Sequence, residues 1–171
     1  MKIYIAKLED QGLTLEAFFK KQELDFIPIA YSINNQMAPH VQVIKEGDTL
    51  VSYSSTHKYG YAVYQRSLIF LLNYVVSKVV PEGQFEMSHS ISRAIYGCFT
   101  NGLHFTEEQV NEIRREMKRL IEKNIPFSVE SMNRKDALEV LKELSPGNDK
   151  WMYQEMFPET IPIYSLKTYR D

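Results

Sequence analysis

Among its 171 residues the chain has a single cysteine, Cys98. No disulfide can close within it, and such sparse cysteine suits a reducing compartment. Histidine is scarce too: His40, His57, His89 and His104 stand apart, without the short spacings that gather metal ligands. Neither sign of charge dominates, since 22 acidic residues face 20 basic ones. That balance argues against a general polyanion-binding surface, though not against a local basic patch. Long apolar runs are also missing. The longest, residues 67–80, is broken by Asn73, Ser77 and Lys78 and falls short of the ~20 residues needed to cross a bilayer. The opening MKIYIAKLEDQ meets charge too early for a secretory signal. These absences lead us to expect a cytoplasmic, soluble protein with no membrane partner.

What is present is an ordinary globular composition, 44% apolar and 25% charged, enough for one large or two small domains. Residues 2–7 alternate as a strand, 14–22 form a short helix with Leu15, Phe18 and Phe19 on one side, and 27–33 are strand-like. Asn34-Asn35 marks a turn, because asparagine tolerates positive φ. A short element at 41–44 precedes the Gly47-Asp48 turn and a last strand, 49–54. Strands around one helix in so short a span give a small α+β module with the element order of a β-grasp domain, residues 1–55. SSTHKYG, 54–60, is the candidate linker to a second unit, residues 61–171.

That unit opens with a helix at 63–80 that is apolar almost all round, apart from a stripe of Arg66, Asn73 and Ser77. Pro81-Glu82-Gly83 ends it, and 84–99 is a hairpin or one long bent strand. Two helix starts of the same kind follow. Thr106 with Gln109 spells a capping box, and Phe105 with Val110 a hydrophobic staple. Asn133 with Asp136 repeats the cap. Val110, Ile113, Met117, Leu120 and Ile121 make one apolar stripe. Pro126 is the expected stop, with Ile125, Phe127 and Val129 alternating into a strand. A helix-like segment at 151–157 and a closing strand at 161–166 complete an antiparallel-sheet α+β domain.

The phrases AYSINNQMAPHVQVIKEGDTLVSYSS and FTEEQVNEIRREMKRLIEKNIPFSVESMNRKDALEVL resemble the N-terminal half of threonyl-tRNA synthetase, a β-grasp (TGS-like) module followed by the editing domain. YAVYQRSLIFLL, SHSISRAIYG and the terminal IPIYSLKTYRD resemble more closely a bacterial uridine kinase-like nucleoside kinase family that carries the same two modules. The second resemblance implies a non-catalytic accessory region, with a nucleoside kinase domain beyond residue 171. ATP and Mg would be needed only there; no cofactor is expected in this chain. The implied partners are that kinase domain, a second copy of the chain, or a small anionic ligand. The alternatives are an editing-like aminoacyl-tRNA deacylase with an altered site, or a tRNA- or RNA-binding module, against which the near-neutral charge counts mildly.

The resemblance to the synthetase implies a His-x-x-x-His pair on the first helix of the editing domain, and later a Cys-x-x-x-His pair. Arg66 and Phe70 stand where the first pair would be, and neither supplies a neutral lone pair. The second pair would lie past Asp171. A phosphate-binding loop fails as well: Gly97 and Gly102 have the right separation, but Leu103 and His104 follow where lysine and a hydroxyl residue are required. No catalytic or metal residue is assigned. An anion site remains as the candidate. Arg66 and Ser67 would lie in the first turn of a helix, where free N–H groups favour anions. In the folding pattern that the resemblance implies, His89, Ser90, Ser92 and Arg93 would stand beside them, with Tyr164 or Tyr169 as a hydrogen-bonding wall. The alternative is structural: Arg66 paired with a carboxylate of its module, and His89 a hydrogen-bonded strand residue. Tyr59, Tyr61 and Tyr64 beside Lys58 and Arg66 can stack on bases, but core or linker packing is the more usual fate of such rings. Arg114, Arg115, Lys118, Arg119 and Lys123 share their helix with five glutamates and read as a mixed solvated face.

Overall fold

A computed structural model describes residues 2–91, 94–144, 158–167 and 169–170. The helix-like segment expected at 151–157, together with Ser92 and Arg93, lies outside the described residues. The chain divides into two compact units, 1–69 and 70–171, and the division falls within one long helix. The fold is α+β, with antiparallel sheets.

In the first unit, β1 (Lys2–Ile5), β4 (Thr49–Tyr53), β2 (Ala30–Ile33) and β3 (Gln36–Ala38) form a four-stranded sheet in that order, and every pairing is antiparallel. One helix, α1 (Leu15–Lys20), covers one face. Thr14 caps it by accepting a hydrogen bond from the Ala17 N–H at 3.2 Å. Leu15, Phe18 and Phe19 are buried against Ala6, Tyr31, Ile44 and Leu50. Phe19 stacks on Tyr31 at 5.4 Å between ring centroids, and Phe18 meets it edge-on at 5.1 Å. The sheet's other face buries Ala30, Val51 and Tyr53, with the Tyr53 hydroxyl 3.0 Å from Ser32 Oγ. Asn34 and Asn35 both take positive φ, 50° and 66°, as a two-residue hairpin turn between twisted strands demands. Asn34 also donates to Asp48 at 2.8 Å and accepts from the Thr49 N–H at 2.9 Å, so it ties that hairpin to β4.

Two expectations fail here for local reasons. The strand expected from residue 27 begins at Ala30, because Pro28 has no N–H for the ladder and Ile27 is 82% exposed. The element expected at 41–44 is a single bridge between Thr14 and Val43. The third strand, β3, had no sequence signal: it is three residues long, with Gln36 and Met37 exposed.

The long helix, α2 (Lys58–Val79), starts five residues earlier than its apolar pattern suggests. The His57 N–H donates to the Ser54 carbonyl at 3.1 Å, and the Tyr61 N–H to the His57 carbonyl at 2.8 Å, so the supposed linker winds straight into the helix. Gly60 makes this possible. A Cβ there would lie 1.9 Å from the Ser54 carbonyl oxygen. Apart from Gly60, the deeply buried residues of α2 are in its later turns, Leu71, Tyr74, Val75 and Val76, with Val80 just past its end.

The second unit contains a hairpin of β5 (Phe85–Ile91) and β6 (Ala94–Phe99), then α3 (Glu107–Glu122), β7 (Ser128–Asn133), α4 (Arg134–Leu144), β8 (Thr160–Leu166) and β9 (Tyr169–Arg170). The last three strands form a sheet in the order β7-β8-β9. Its core joins α2 to Phe99, Ile113, Leu120 and Leu166, with Phe105 packed on Phe99 at 4.5 Å. The capping box of α3 forms as read: Thr106 Oγ1 accepts from the Gln109 N–H at 3.2 Å, and Gln109 Oε1 accepts from the Thr106 N–H at 2.9 Å. Asn133 likewise accepts from the Asp136 N–H at 3.0 Å. The buried stripe is narrower than the sequence pattern, since Val110 is 40% exposed and Ile121 57%. Helix α3 ends before Pro126, where Asn124 takes a left-handed φ of 47°. Arg119 pairs with Glu116 at 2.7 Å, in keeping with a mixed solvated face.

Candidate functional site

The site residues expected from sequence fall in both units. Arg66 and Ser67 are in the first, on α2. They stand more than two turns inside the helix, not in its first turn, so their N–H groups belong to the internal ladder and are not free for an anion. This corrects the physical basis of the expected anion site. The Ser67 hydroxyl is committed as well, donating to the Val63 carbonyl at 2.9 Å. Arg66 is exposed, and no described carboxylate lies within ion-pair distance of it.

The remaining candidates belong to the second unit. His89 is exposed on β5, where the register shifts between Met87 and Ser90. Its Nδ1 lies 3.0 Å from Ser88 Oγ, and its ring tilts against Tyr96 at 5.4 Å. Ser90 pairs with Ile95 in the ladder. Tyr164 is 43% exposed on β8. Tyr169, on β9, is instead packed inward among aromatic rings. Its ring centroid lies 5.3 Å from Phe70 and 5.8 Å from Tyr74, and Phe70 meets Phe127 edge-on at 5.3 Å. The two tyrosines therefore do not form one wall. No hydrogen bond or ring contact joins His89 to Tyr164 among the described residues.

The turn of α2 that the resemblance assigns to a hydrolytic histidine pair thus carries Phe70 in a cluster of four rings. Edge-to-face rings bury apolar area but offer no neutral nitrogen to a metal or a water. Among the described residues, no group of three or more His, Cys, Asp or Glu side chains could hold a metal ion. Cys98 is half-buried in β6.

Displaced titrations lie away from these residues. Tyr31 is pushed up by burial, and secondarily by the charge of Glu16. The Glu16 carboxylate is held low by its hydrogen bond to Lys20. A hollow of about 450 Å³ lies between β7 and α4, lined by Glu130, Asn133, Asp136, Glu139 and Glu143. Its carboxylates would repel the anionic ligand that the sequence suggests. The feature undervalued by sequence reasoning is the start of α2. Tyr59, Tyr61 and Tyr64, for which packing was the more usual fate, are 42%, 50% and 45% exposed. What could have revealed this is the neighbouring charge: no acidic residue occurs from Thr49 to Pro81.

No family model matches the chain. It is, however, similar to curated threonine–tRNA ligases. That of Desulforamulus reducens is 27% identical over 139 residues, covering 81% of this chain and 20% of the relative. That of Maridesulfovibrio salexigens is 25% identical over 154 residues, covering 82% and 24%. That of Dechloromonas aromatica is 28% identical over 116 residues, covering 68% and 18%. Distant homology to threonine–tRNA ligase runs over most of the chain. The chain spans about a fifth of the length of these relatives. Of the two resemblances drawn from sequence, the synthetase one is supported; nothing in these relatives supports the uridine kinase one. No described helix is long and apolar enough to cross a membrane.

Proposed function

We propose that this chain is a tRNA-contacting module related to the N-terminal part of threonine–tRNA ligase, without hydrolytic chemistry of its own. The relationship to the ligases supports the tRNA half of this reading, because it extends over both units and not over one common element. The packing of Phe70 supports the other half. An editing-type hydrolysis needs a polar pocket that positions water at an ester carbonyl, and that turn of the helix is filled by Phe70, Phe127, Tyr74 and Tyr169. The aromatic cluster is the single observation on which the non-hydrolytic reading turns.

Two measurements on the purified chain test it. Titration of labelled deacylated threonine tRNA should give saturable binding, and threonine tRNA charged with serine should lose its amino acid no faster with the chain than without it. Absence of tRNA binding would refute the module reading. Catalysed release of serine would refute the non-hydrolytic part and favour an editing enzyme with altered groups.

A further inference from the structure

We infer that the first turns of α2 are a stacking platform for unpaired RNA bases, with Tyr61 and Tyr64 as the rings and Lys58 as a phosphate contact. The inference rests on the tRNA-contacting function proposed above, and it names where and how the RNA is held.

Three independent observations converge on these turns. The first is exposure. Three large rings stand 42–50% exposed within six residues of one helix. Val63 and Gly60 take the inward positions instead: Val63 packs on the sheet, and Gly60 lies against the Ser54 carbonyl. Tyrosine is favoured where a rigid ring must serve a partner, because little side-chain entropy is lost on contact.

The second observation is charge. Residues 49–81 contain no carboxylate in a chain that has 22, and Lys58 and Arg66 are both exposed. The first turn of α2 has no acidic residue to offset the positive end of the helix dipole. No carboxylate of this helix or of the strand before it would repel an anionic, ring-bearing partner. A carboxylate-rich peptide would satisfy the cations but would leave the rings without a partner of their own kind.

The third observation is spacing. Tyr61 and Tyr64 are three residues apart, so their Cβ atoms are neighbours on the helix surface, about 5–6 Å apart. Lys58 precedes Tyr61 by three residues and lies on the same side, whereas Tyr59 and Arg66, seven residues apart, share the opposite flank of the helix. The Lys58 ammonium lies 4.8 Å from the centroid of the Tyr59 ring, and Tyr59 meets Tyr53 edge-on at 5.3 Å, while Tyr53 stacks on His57 at 4.7 Å. These contacts tie the start of the helix, through Tyr59, to the sheet that carries Tyr53. Stacking is tolerant of base identity, since every base has a π-face. Duplex RNA, whose bases are already stacked on one another, would offer these rings nothing.

With Lys58 as the contributing cation, binding should depend weakly on salt. The slope of log affinity against log salt should be no steeper than about −0.7, the value for one neutralised phosphate on a single strand.

The test is fluorescence anisotropy with the full chain, using deacylated threonine tRNA, a single-stranded RNA octamer, the same octamer in a duplex, and anionic phospholipid vesicles. The wild-type chain should bind tRNA and the single strand, and bind the duplex and vesicles at least tenfold more weakly. Y61L/Y64L should weaken single-strand and tRNA binding by about tenfold or more, while Y61F/Y64F, which keeps the rings, should stay within about threefold of wild type. Both variants alter exposed side chains, and circular dichroism checks that each is folded. Undiminished tRNA binding by the leucine variant would overturn the platform while leaving the tRNA-contacting function standing. Equal losses in the leucine and phenylalanine variants would overturn stacking as its basis. Equal binding of duplex or vesicles would overturn the choice of partner. If the wild-type chain binds no tRNA at all, the functional reading falls and the platform falls with it.

Discussion

Replacing Gly60 by alanine sets two physical effects of opposite sign against each other. By helix propensity alone the change should stabilise α2, because glycine within a helix is about 1 kcal/mol less favourable than alanine. The tertiary structure opposes that gain. The new Cβ would lie 1.9 Å from the Ser54 carbonyl oxygen and 2.7 Å from its carbon, where ordinary contact begins near 3.4 Å. Both atoms are backbone, so no rotamer change relieves the overlap. Either the end of β4 or the first turn of α2 must move by more than an ångström. Overpacking of this kind costs about 1–3 kcal/mol, and the upper part of that range applies where backbone must yield. The net result is a loss of about 1–2 kcal/mol. With a urea slope of about 2 kcal/mol/M, the unfolding midpoint should fall by roughly 0.5–1 M at unchanged slope. Hydrogen exchange should locate the damage, with protection lost at the Tyr61 N–H that bonds the His57 carbonyl. A midpoint equal to or above that of the unaltered chain would refute the close approach of Gly60 to Ser54, and with it the early start of α2.

Other substitutions test the rest of the construction. Thr106→Ala removes the acceptor that holds the Gln109 N–H and should cost about 1 kcal/mol, read as a lowered urea midpoint. Asn35→Gly should be neutral or slightly stabilising, since glycine suits the second position of this hairpin turn. Asn34→Gly should destabilise the first unit by about 1 kcal/mol or more, because two hydrogen bonds to the Asp48–Thr49 segment are lost. Burial raises the Tyr31 pKa above its ordinary value near 10. The folded state therefore keeps that proton longer than the unfolded one, and the associated stability is complete below pH 10 and is lost as pH rises through the folded-state value. Urea midpoints measured between pH 9 and 11 should fall, and Tyr31→Phe should flatten that fall.

The parts of the fold that were legible in sequence are those encoded by near neighbours. Thr106 and Gln109 are three residues apart, as are Asn133 and Asp136, and a cap is closed by groups that close in the chain. The spacing of Leu15, Phe18 and Phe19 likewise needs no distant partner to be recognised. The limits of the candidate site were not legible in the same way. An anion site at Arg66 rested on where α2 begins, and that is decided by Ser54, whose carbonyl organises the first turn. A stretch rich in tyrosine, serine and glycine has the propensity of a linker; only the packing of Gly60 and Val63 onto the sheet makes it helical. The lone helix position of Phe70 was visible, but not the rings that close around it. Phe127 and Tyr169 reach it from residues 57 and 99 positions further along the chain.

Sequence by itself determined the capped ends, the apolar faces and the absence of histidine from the first long helix. The tertiary structure alone decided which aromatic rings became core and which were left facing water. Tyr61 and Tyr169 are the same residue type, and intrinsic preference cannot tell them apart. The difference is made by what the folded chain places beside each ring, a choice governed by burial and close packing over distances along the chain that no local pattern spans.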